Sequence, residues 1–171
     1  MRTTFAILAI ITFGHSALAQ ELVERNATRE EIVGTWEIAA LPETAQPKYL
    51  KNNPWPAECQ WFSFTSSGGL KSFDKTRGPC ETKQGAELKA LFDAVPSVSS
   101  WQYDLSPSFQ KALVIVRRTD AKDYIEYWEP HYVTKSFKVG DAEVKEGDLL
   151  FYLVNMQAKK IVWIRHLQKV H

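Results

Sequence analysis

Histidine is the side chain most able to bind a metal or to transfer a proton near neutral pH. Beyond residue 19 the chain has His131, His166 and His171. None of them lies in a His-x-His or His-Glu-x-x-His pattern, and no carboxylate-rich loop accompanies them, so the spacings typical of metal sites are missing. We interpret His131 and His166 as surface or rim residues of a sheet. The sequence therefore predicts no metal site and no haem ligand.

Nucleophilic and acid–base chemistry also lacks a recognisable pattern. The chain contains no Gly-x-Ser-x-Gly nucleophile elbow. Carboxylates such as Glu37 and Glu126 fall on solvent-facing positions of alternating segments, whereas a catalytic acid with a raised pKa needs an apolar pocket. Gly68-Gly69 is typical of a turn, because no Lys-Ser/Thr pair and no helix start follow it as in a phosphate-binding loop. We predict that the chain is not an enzyme and uses no cofactor.

Cys59 and Cys80 are the two cysteines of the chain. They lack the Cys-x-x-Cys spacing of a redox pair, and no cluster of further ligands suggests a metal site. Two such cysteines in an exported chain predict one structural disulfide. It would close a loop of about 22 residues, which the chain-entropy model values at roughly 3 kcal/mol.

The first nineteen residues have the pattern of a cleaved signal peptide. Met1-Arg2 provides a positive start, Phe5 to Phe13 is an apolar run, and Ala17-Leu18-Ala19 is the small-x-small motif that signal peptidase cuts, before Gln20. We expect residues 1–19 to be removed and residues 20–171 to form one domain. The compact apolar run is typical of a bacterial leader, which predicts a periplasmic or secreted protein.

Composition limits the partners of the exported domain. The chain has 21 Lys and Arg residues against 20 Asp and Glu residues, and loss of Arg2 with the leader makes the two numbers equal. Nucleic-acid and membrane-surface binders usually need a basic excess, so both classes are disfavoured. No later segment approaches the apolar length of a membrane span, about 18 residues. The oligomeric state is left open.

Two helices are predicted from local patterns. Thr28-Arg29-Glu30-Glu31 has the form of a capping box, so a short helix should follow and end at Gly34. Between Thr82 and Val95, apolar residues recur at helical spacing on one face until Pro96 stops the pattern. We expect this amphipathic mid-chain helix to lie against a sheet.

The rest of the chain alternates between apolar and polar residues in short segments divided by turns. About eight such segments at near-regular spacing predict a mainly β domain, either a closed antiparallel barrel or a sandwich. The candidate strands are Thr35–Ala39, Cys59–Thr65, Leu70–Phe73, Trp101–Leu105, Ala112–Arg118, Tyr124–Trp128, Leu149–Asn155 and Lys160–Lys169, with a further short one at Lys135–Val139.

Gly34-Thr35-Trp36 opens the first strand after a short helix, and Arg165 lies in the last strand. In these residues the chain resembles the lipocalins, or more broadly the calycins. The resemblance implies a single eight-stranded up-and-down barrel. It also implies that Trp36 and Arg165 form the barrel floor, with the guanidinium across the indole ring. The mid-chain helix departs from the family, whose helix lies near the C-terminus.

An eight-stranded barrel has room for packed side chains or for one small ligand. We expect an aromatic-lined interior that binds a small hydrophobic molecule, with some of the rings serving only as core. The candidate ligand-binding residues are Trp61, Tyr103, Tyr127, Trp128 and Phe151.

The Pro-rich segment from Leu41 to Glu58 is a long loop that contains Tyr49 and Trp55. It could be a lid over the barrel or a surface for a partner, because exposed Tyr and Trp are common binding hot spots. The alternative function is therefore that of an envelope interaction protein with a filled barrel, such as an inhibitor of a secreted enzyme.

Overall fold

The computed structural model of the chain describes residues 23–50, 59–75, 80, 85–94, 101–106, 113–118 and 125–170. The predicted signal peptide, residues 1–19, lies outside the described residues, as does Trp55. For the strands at 101–106 and 113–118 the backbone is described but not the surroundings of the side chains.

The described structure consists mainly of β-strands. Its helices are α1 (Arg29–Ile32) and α2 (Gly85–Ala94), and a single 3-10 turn spans Glu43–Ala45. The strands are β1 (Glu24–Asn26), β2 (Gly34–Ala39), β3 (Cys59–Phe64), β4 (Gly69–Lys75), β5 (Trp101–Ser106), β6 (Leu113–Arg118), β7 (Ile125–Val133), β8 (Phe137–Val139), β9 (Ala142–Val144), β10 (Leu149–Asn155) and β11 (Lys160–Lys169).

Nine of these strands form one antiparallel sheet in the order β1-β7-β10-β11-β2-β3-β4-β5-β6. Strand β6 pairs with β7 as well as with β5. Strands β8 and β9 form a separate two-stranded hairpin. The mainly β, antiparallel prediction is confirmed, and most predicted strands lie within a few residues of the observed ones. The sequence patterns missed β1 and β9.

The predicted capping box is present at the start of α1. The Thr28 hydroxyl accepts a hydrogen bond from the Glu31 amide at 3.4 Å, and the Glu31 carboxylate accepts one from the Thr28 amide at 2.8 Å. These two bonds satisfy backbone donors that a helix start leaves unpaired. The Trp36 indole N–H then donates to the Ile32 carbonyl at 2.8 Å, which fastens α1 to β2.

Side chains alternate between two faces of the sheet, as the two-residue period of a strand requires. In β10, Phe151 packs in the same buried cluster as Trp36, whereas Leu150 and Tyr152 pack in another. We call the first the Trp36 face and the second the opposite face. The Trp36-face cluster consists of Ala27, Ile32, Trp36, Phe62, Phe64, Leu70, Trp128, Leu149, Phe151 and Leu167.

Helix α2 covers part of the opposite face. Its buried residues Leu88 and Phe92 pack against Trp61 and Cys59 of β3. The predicted disulfide between Cys59 and Cys80 is present, with their Cα atoms 5.4 Å apart. The predicted helix Thr82–Val95 is thus confirmed over Gly85–Ala94, and it lies against the sheet as its periodicity indicated.

The β8–β9 hairpin covers another part of the opposite face, over β7, β10 and β11. We call the apolar layer beneath it the hairpin cluster. Its buried members are Val133, Val144, Leu150 and Tyr152, and Leu41, Phe137, Val139 and Ile164 pack against them half-buried.

Candidate functional site

A cavity of about 410 Å³ lies within the hairpin cluster. This volume falls in the range of pockets that bind small molecules, roughly 300–1,000 Å³. We call it the hairpin pocket. Its described lining residues are Val23, Glu24, Leu41, Ala45, Phe137, Val139, Val144, Leu150, Tyr152 and Ile164.

The loop after β2 holds one wall of the pocket in place. The Gln46 side-chain amide donates to the Ile164 carbonyl and accepts from the Ile164 amide, both at 2.9 Å. This two-bond clamp ties the loop to β11 and positions Leu41 and Ala45 over the cavity. Leu41 and Ala45, from the first part of this loop, thus line the hairpin pocket, and a lid over the open end of a barrel stays a prediction.

Glu24 and Tyr152 are the residues with polar side chains among the described lining of the pocket. Glu24 is only 4% exposed. The Tyr152 hydroxyl lies 2.7 Å and 2.8 Å from the two carboxylate oxygens and donates its single proton to this carboxylate. A buried carboxylate is stable only when such donors compensate its lost hydration.

His131 adjoins this carboxylate. Its Nε2 lies 2.9 Å from Glu129 Oε1, and its Nδ1 lies 3.5 Å from Glu24 Oε1. The ring also meets Tyr152 edge-on, with centroids 4.6 Å apart. Burial by itself lowers the pKa of His131, but hydrogen bonds with Glu129 and Glu24 outweigh it and raise the pKa above the ordinary 6.5. This cluster has two buried carboxylates around one imidazole.

The interpretation as a surface or rim residue is wrong for His166, whereas His131 is half-buried. The His131 side chain is 16% exposed. His166 is 1% exposed, and its Nε2 lies 2.7 Å from a carboxylate oxygen of Asp148, which is also buried. Both histidines pair with Leu150 across neighbouring strands, on the face that the β8–β9 hairpin covers. The sequence analysis did not predict the β8–β9 hairpin that covers this face.

The barrel-floor contact expected from the lipocalin resemblance involves different partners. Lys169 Nζ lies 5.5 Å from the centroid of the Trp36 ring. The buried Arg165 guanidinium instead lies over Trp128 at 4.6 Å and Phe62 at 4.9 Å. The register explains the difference: Lys169 is paired directly with Trp36, whereas Arg165 lies four residues back, roughly 13 Å along β11.

The predicted ligand-binding aromatics do not converge on one site. Trp128 and Phe151 are buried on the Trp36 face, with ring centroids 6.3 Å apart. Trp61 packs under α2 on the opposite face. Tyr127, half-buried, alternates with Trp128 and so shares that opposite face. The side chain of Tyr103, in β5, lies outside the described residues.

None of the four described aromatics lines the hairpin pocket. The sequence pattern could not tell which rings faced one another, because all of them satisfied the same strand alternation. In the predicted lid or partner loop, Tyr49 is 47% exposed, which either role would permit.

Glu24 is the site residue that the sequence reasoning missed. It lies in a three-residue strand that carries no alternation signal, and its burial depends on pairing with Val133 more than a hundred residues later. No local pattern distinguishes it from the exposed carboxylates of the chain. The three-residue β9 of the covering hairpin was missed for the same reason.

Comparison of the chain with protein-family models, curated proteins and solved structures found no significant match in any of the three. Within the part of the chain that the structure describes, neither helix has the length and hydrophobicity that a membrane crossing needs. Among the same residues, no group of three His, Cys, Asp or Glu side chains is arranged to hold a metal ion. The prediction that the chain is not an enzyme stays a prediction.

Proposed function

We propose that this chain is an exported carrier that binds one small hydrophobic molecule. The observation that carries the proposal is the hairpin pocket, a cavity of about 410 Å³ with eight apolar residues and two polar ones in its described lining. Small-molecule sites combine an apolar wall with few, localised polar groups in this way. The pocket lies on the opposite face, so the proposed site differs from the aromatic interior that the sequence predicted.

We further propose that the sheet closes into an eight-stranded up-and-down barrel resembling the lipocalins. Support comes from the pairings, which lead from β2 through β3, β4, β5, β6, β7, β10 and β11 back to β2. Each strand in that circuit pairs with its neighbours antiparallel, as in an up-and-down barrel. The Trp36 face would then be the barrel interior, and the hairpin pocket would lie outside the barrel wall.

The proposed location is the periplasm or the medium. The Cys59–Cys80 disulfide supports it, because disulfides persist mainly in oxidising compartments. The signal-peptide pattern of residues 1–19 supports it independently.

Fluorescence of N-phenyl-1-naphthylamine, a neutral probe that brightens in apolar surroundings, tests the carrier proposal. We expect a saturable rise with the wild-type protein. Ala45→Phe should abolish it, because Ala45 lines the pocket and the larger ring would fill the space. Ala40→Phe is the matched control, since Ala40 is exposed and is not among the lining residues.

Equal binding by Ala45→Phe and wild type would overturn the assignment of the site to the hairpin pocket. No saturable rise with any of the proteins would overturn the carrier function. The protein-binding alternative, such as inhibition of a secreted enzyme, would then lead, with the exposed Tyr49 as its first residue to mutate.

A further inference from the structure

The two polar side chains in the described lining of the hairpin pocket belong mainly to the protein interior. Glu24 is 4% exposed and Tyr152 is 3% exposed, so little of either side chain can be touched from the pocket. The Tyr152 hydroxyl donates its single proton to the Glu24 carboxylate, and His131 Nδ1 lies 3.5 Å from one of the same oxygens. These polar atoms are therefore committed to partners within the protein.

The part of the lining that a ligand can reach is hydrocarbon. Of the described lining residues, four are buried and the other six are half-buried, so those six present most of the reachable surface. We call them the accessible wall, and all of them have apolar side chains: Val23, Leu41, Ala45, Phe137, Val139 and Ile164.

Main-chain polar groups of the accessible wall are also engaged. The Ile164 amide and carbonyl both bond to the Gln46 side chain, and the Val23 carbonyl accepts from the Thr134 amide at 2.8 Å. A polar group brought against such a wall loses its hydration and gains no partner from these atoms. The loss is unfavourable for a neutral group and far more so for an ion.

We propose that the hairpin pocket recognises its ligand by the hydrocarbon part alone, so that it accepts alkyl amphiphiles with different head groups and leaves those head groups in water. This inference rests on the proposed carrier function and narrows its ligand class to molecules with an apolar tail that lies along Phe137, Val139 and Ile164. The head group contributes nothing to selectivity, because the accessible wall has no charged or polar side chain to contact it.

Displacement of N-phenyl-1-naphthylamine by three probes with the same tail tests the independence from the head group. Octanol, octylamine and octanoate differ only in that group, and at about pH 8 the amine is protonated and the acid ionised. We expect their half-displacing concentrations to agree within about fivefold, because each tail removes the same apolar area from water.

A second series varies the tail and keeps the head group. Hexanol, heptanol and octanol differ by one methylene group at each step. Binding free energy grows with the apolar area that is buried, so each added methylene should lower the half-displacing concentration about fourfold.

Two neighbouring residues of β8 provide a variant and its matched control. Val139 is half-buried and lines the pocket, whereas Lys138 is exposed and is not among the described lining residues. Val139→Ala should raise the half-displacing concentrations of octanol, octylamine and octanoate by the same factor, about fivefold, because it removes apolar contact and no charge. Lys138→Ala removes a charge from the hairpin and should change none of them by more than about twofold.

The outcomes separate this inference from the carrier function, and the two wild-type series require no variant to fold. A difference of more than about fivefold between octylamine and octanoate would overturn recognition by the tail alone and leave the carrier function standing. Equal displacement by hexanol and octanol would also overturn it, as would a loss confined to octanoate in Lys138→Ala. Unchanged displacement in Val139→Ala would remove the tail from this wall. Absence of dye binding by the wild type would overturn the carrier function, and this inference with it.

Discussion

The two faces of the sheet bury apolar side chains in different ways. On the Trp36 face, large rings from neighbouring strands meet directly: Phe151 packs against Phe64 at 5.6 Å and against Trp128 at 6.3 Å between centroids. On the opposite face, beneath the β8–β9 hairpin, mainly aliphatic side chains from a short hairpin and a loop form the cover and leave the hairpin pocket. The large rings fill the space on the Trp36 face, whereas the hairpin and loop over the opposite face leave the hairpin pocket unfilled.

The faces also differ in how they hold charge. On the Trp36 face, the Arg165 guanidinium stacks on aromatic rings, which attract cations through their negative faces. Beneath the hairpin, the buried charges are carboxylates beside histidines, Glu24 and Glu129 at His131 and Asp148 at His166. The described Trp36 face thus places its buried cation on aromatic rings, whereas the opposite face places buried carboxylates beside histidines.

Removal of a ring from the Trp36 face should have the largest effect. Trp36 is 1% exposed and donates to the Ile32 carbonyl. Trp36→Ala should lower the free energy of unfolding by about 3–5 kcal/mol, because it leaves a cavity and an unpaired carbonyl. Urea unfolding measures this change. Ile161→Ala, at an exposed position, should stay within about 0.5 kcal/mol, and equal losses would contradict the packing described.

Enlarging side chains should distinguish the filled face from the open one. Leu149 is fully buried on the Trp36 face, so Leu149→Phe should cost about 1–3 kcal/mol in overpacking. Ala45→Leu adds volume to the hairpin pocket and should change the free energy of unfolding by less than about 0.5 kcal/mol. Similar costs for the two variants in urea unfolding would mean that the pocket has no usable space.

The smallest expected effect is a pH dependence of the free energy of unfolding, which arises from His131 on the opposite face. The pKa of His131 is raised above 6.5, so its stabilising contacts are fully present below about pH 6 and are lost as the pH rises through the folded pKa. The groups facing it are Glu24, Glu129 and Tyr152.

Stability of the wild type relative to His131→Gln should therefore decline as the pH is raised from about 6 to about 8. Urea unfolding at several pH values measures the difference. A wild-type advantage that grows over this interval would contradict the direction of the pKa shift.

Local patterns predicted the parts of the fold whose interactions span few residues. The capping box at Thr28 and Glu31, the β3–β4 hairpin and the periodic face of α2 are each encoded within one segment. The disulfide was predictable because Cys59 has one possible partner. The candidate site was not predictable from local patterns, because Glu24 and Tyr152, which meet in it, are 128 residues apart in the sequence.

The sequence by itself determined both helices and most of the longer strands, because alternation, caps and turn residues act locally, but it did not determine the three-residue strands β1 and β9. The tertiary structure decided which way each strand faces and what covers it. A register that pairs Trp36 with Lys169 places Arg165 over Trp128. The pairing of His166 with Leu150, on the face that the β8–β9 hairpin covers, buries a histidine predicted at the surface or rim. Register and burial depend on interactions between residues that are far apart in the sequence, so no single segment predicts them.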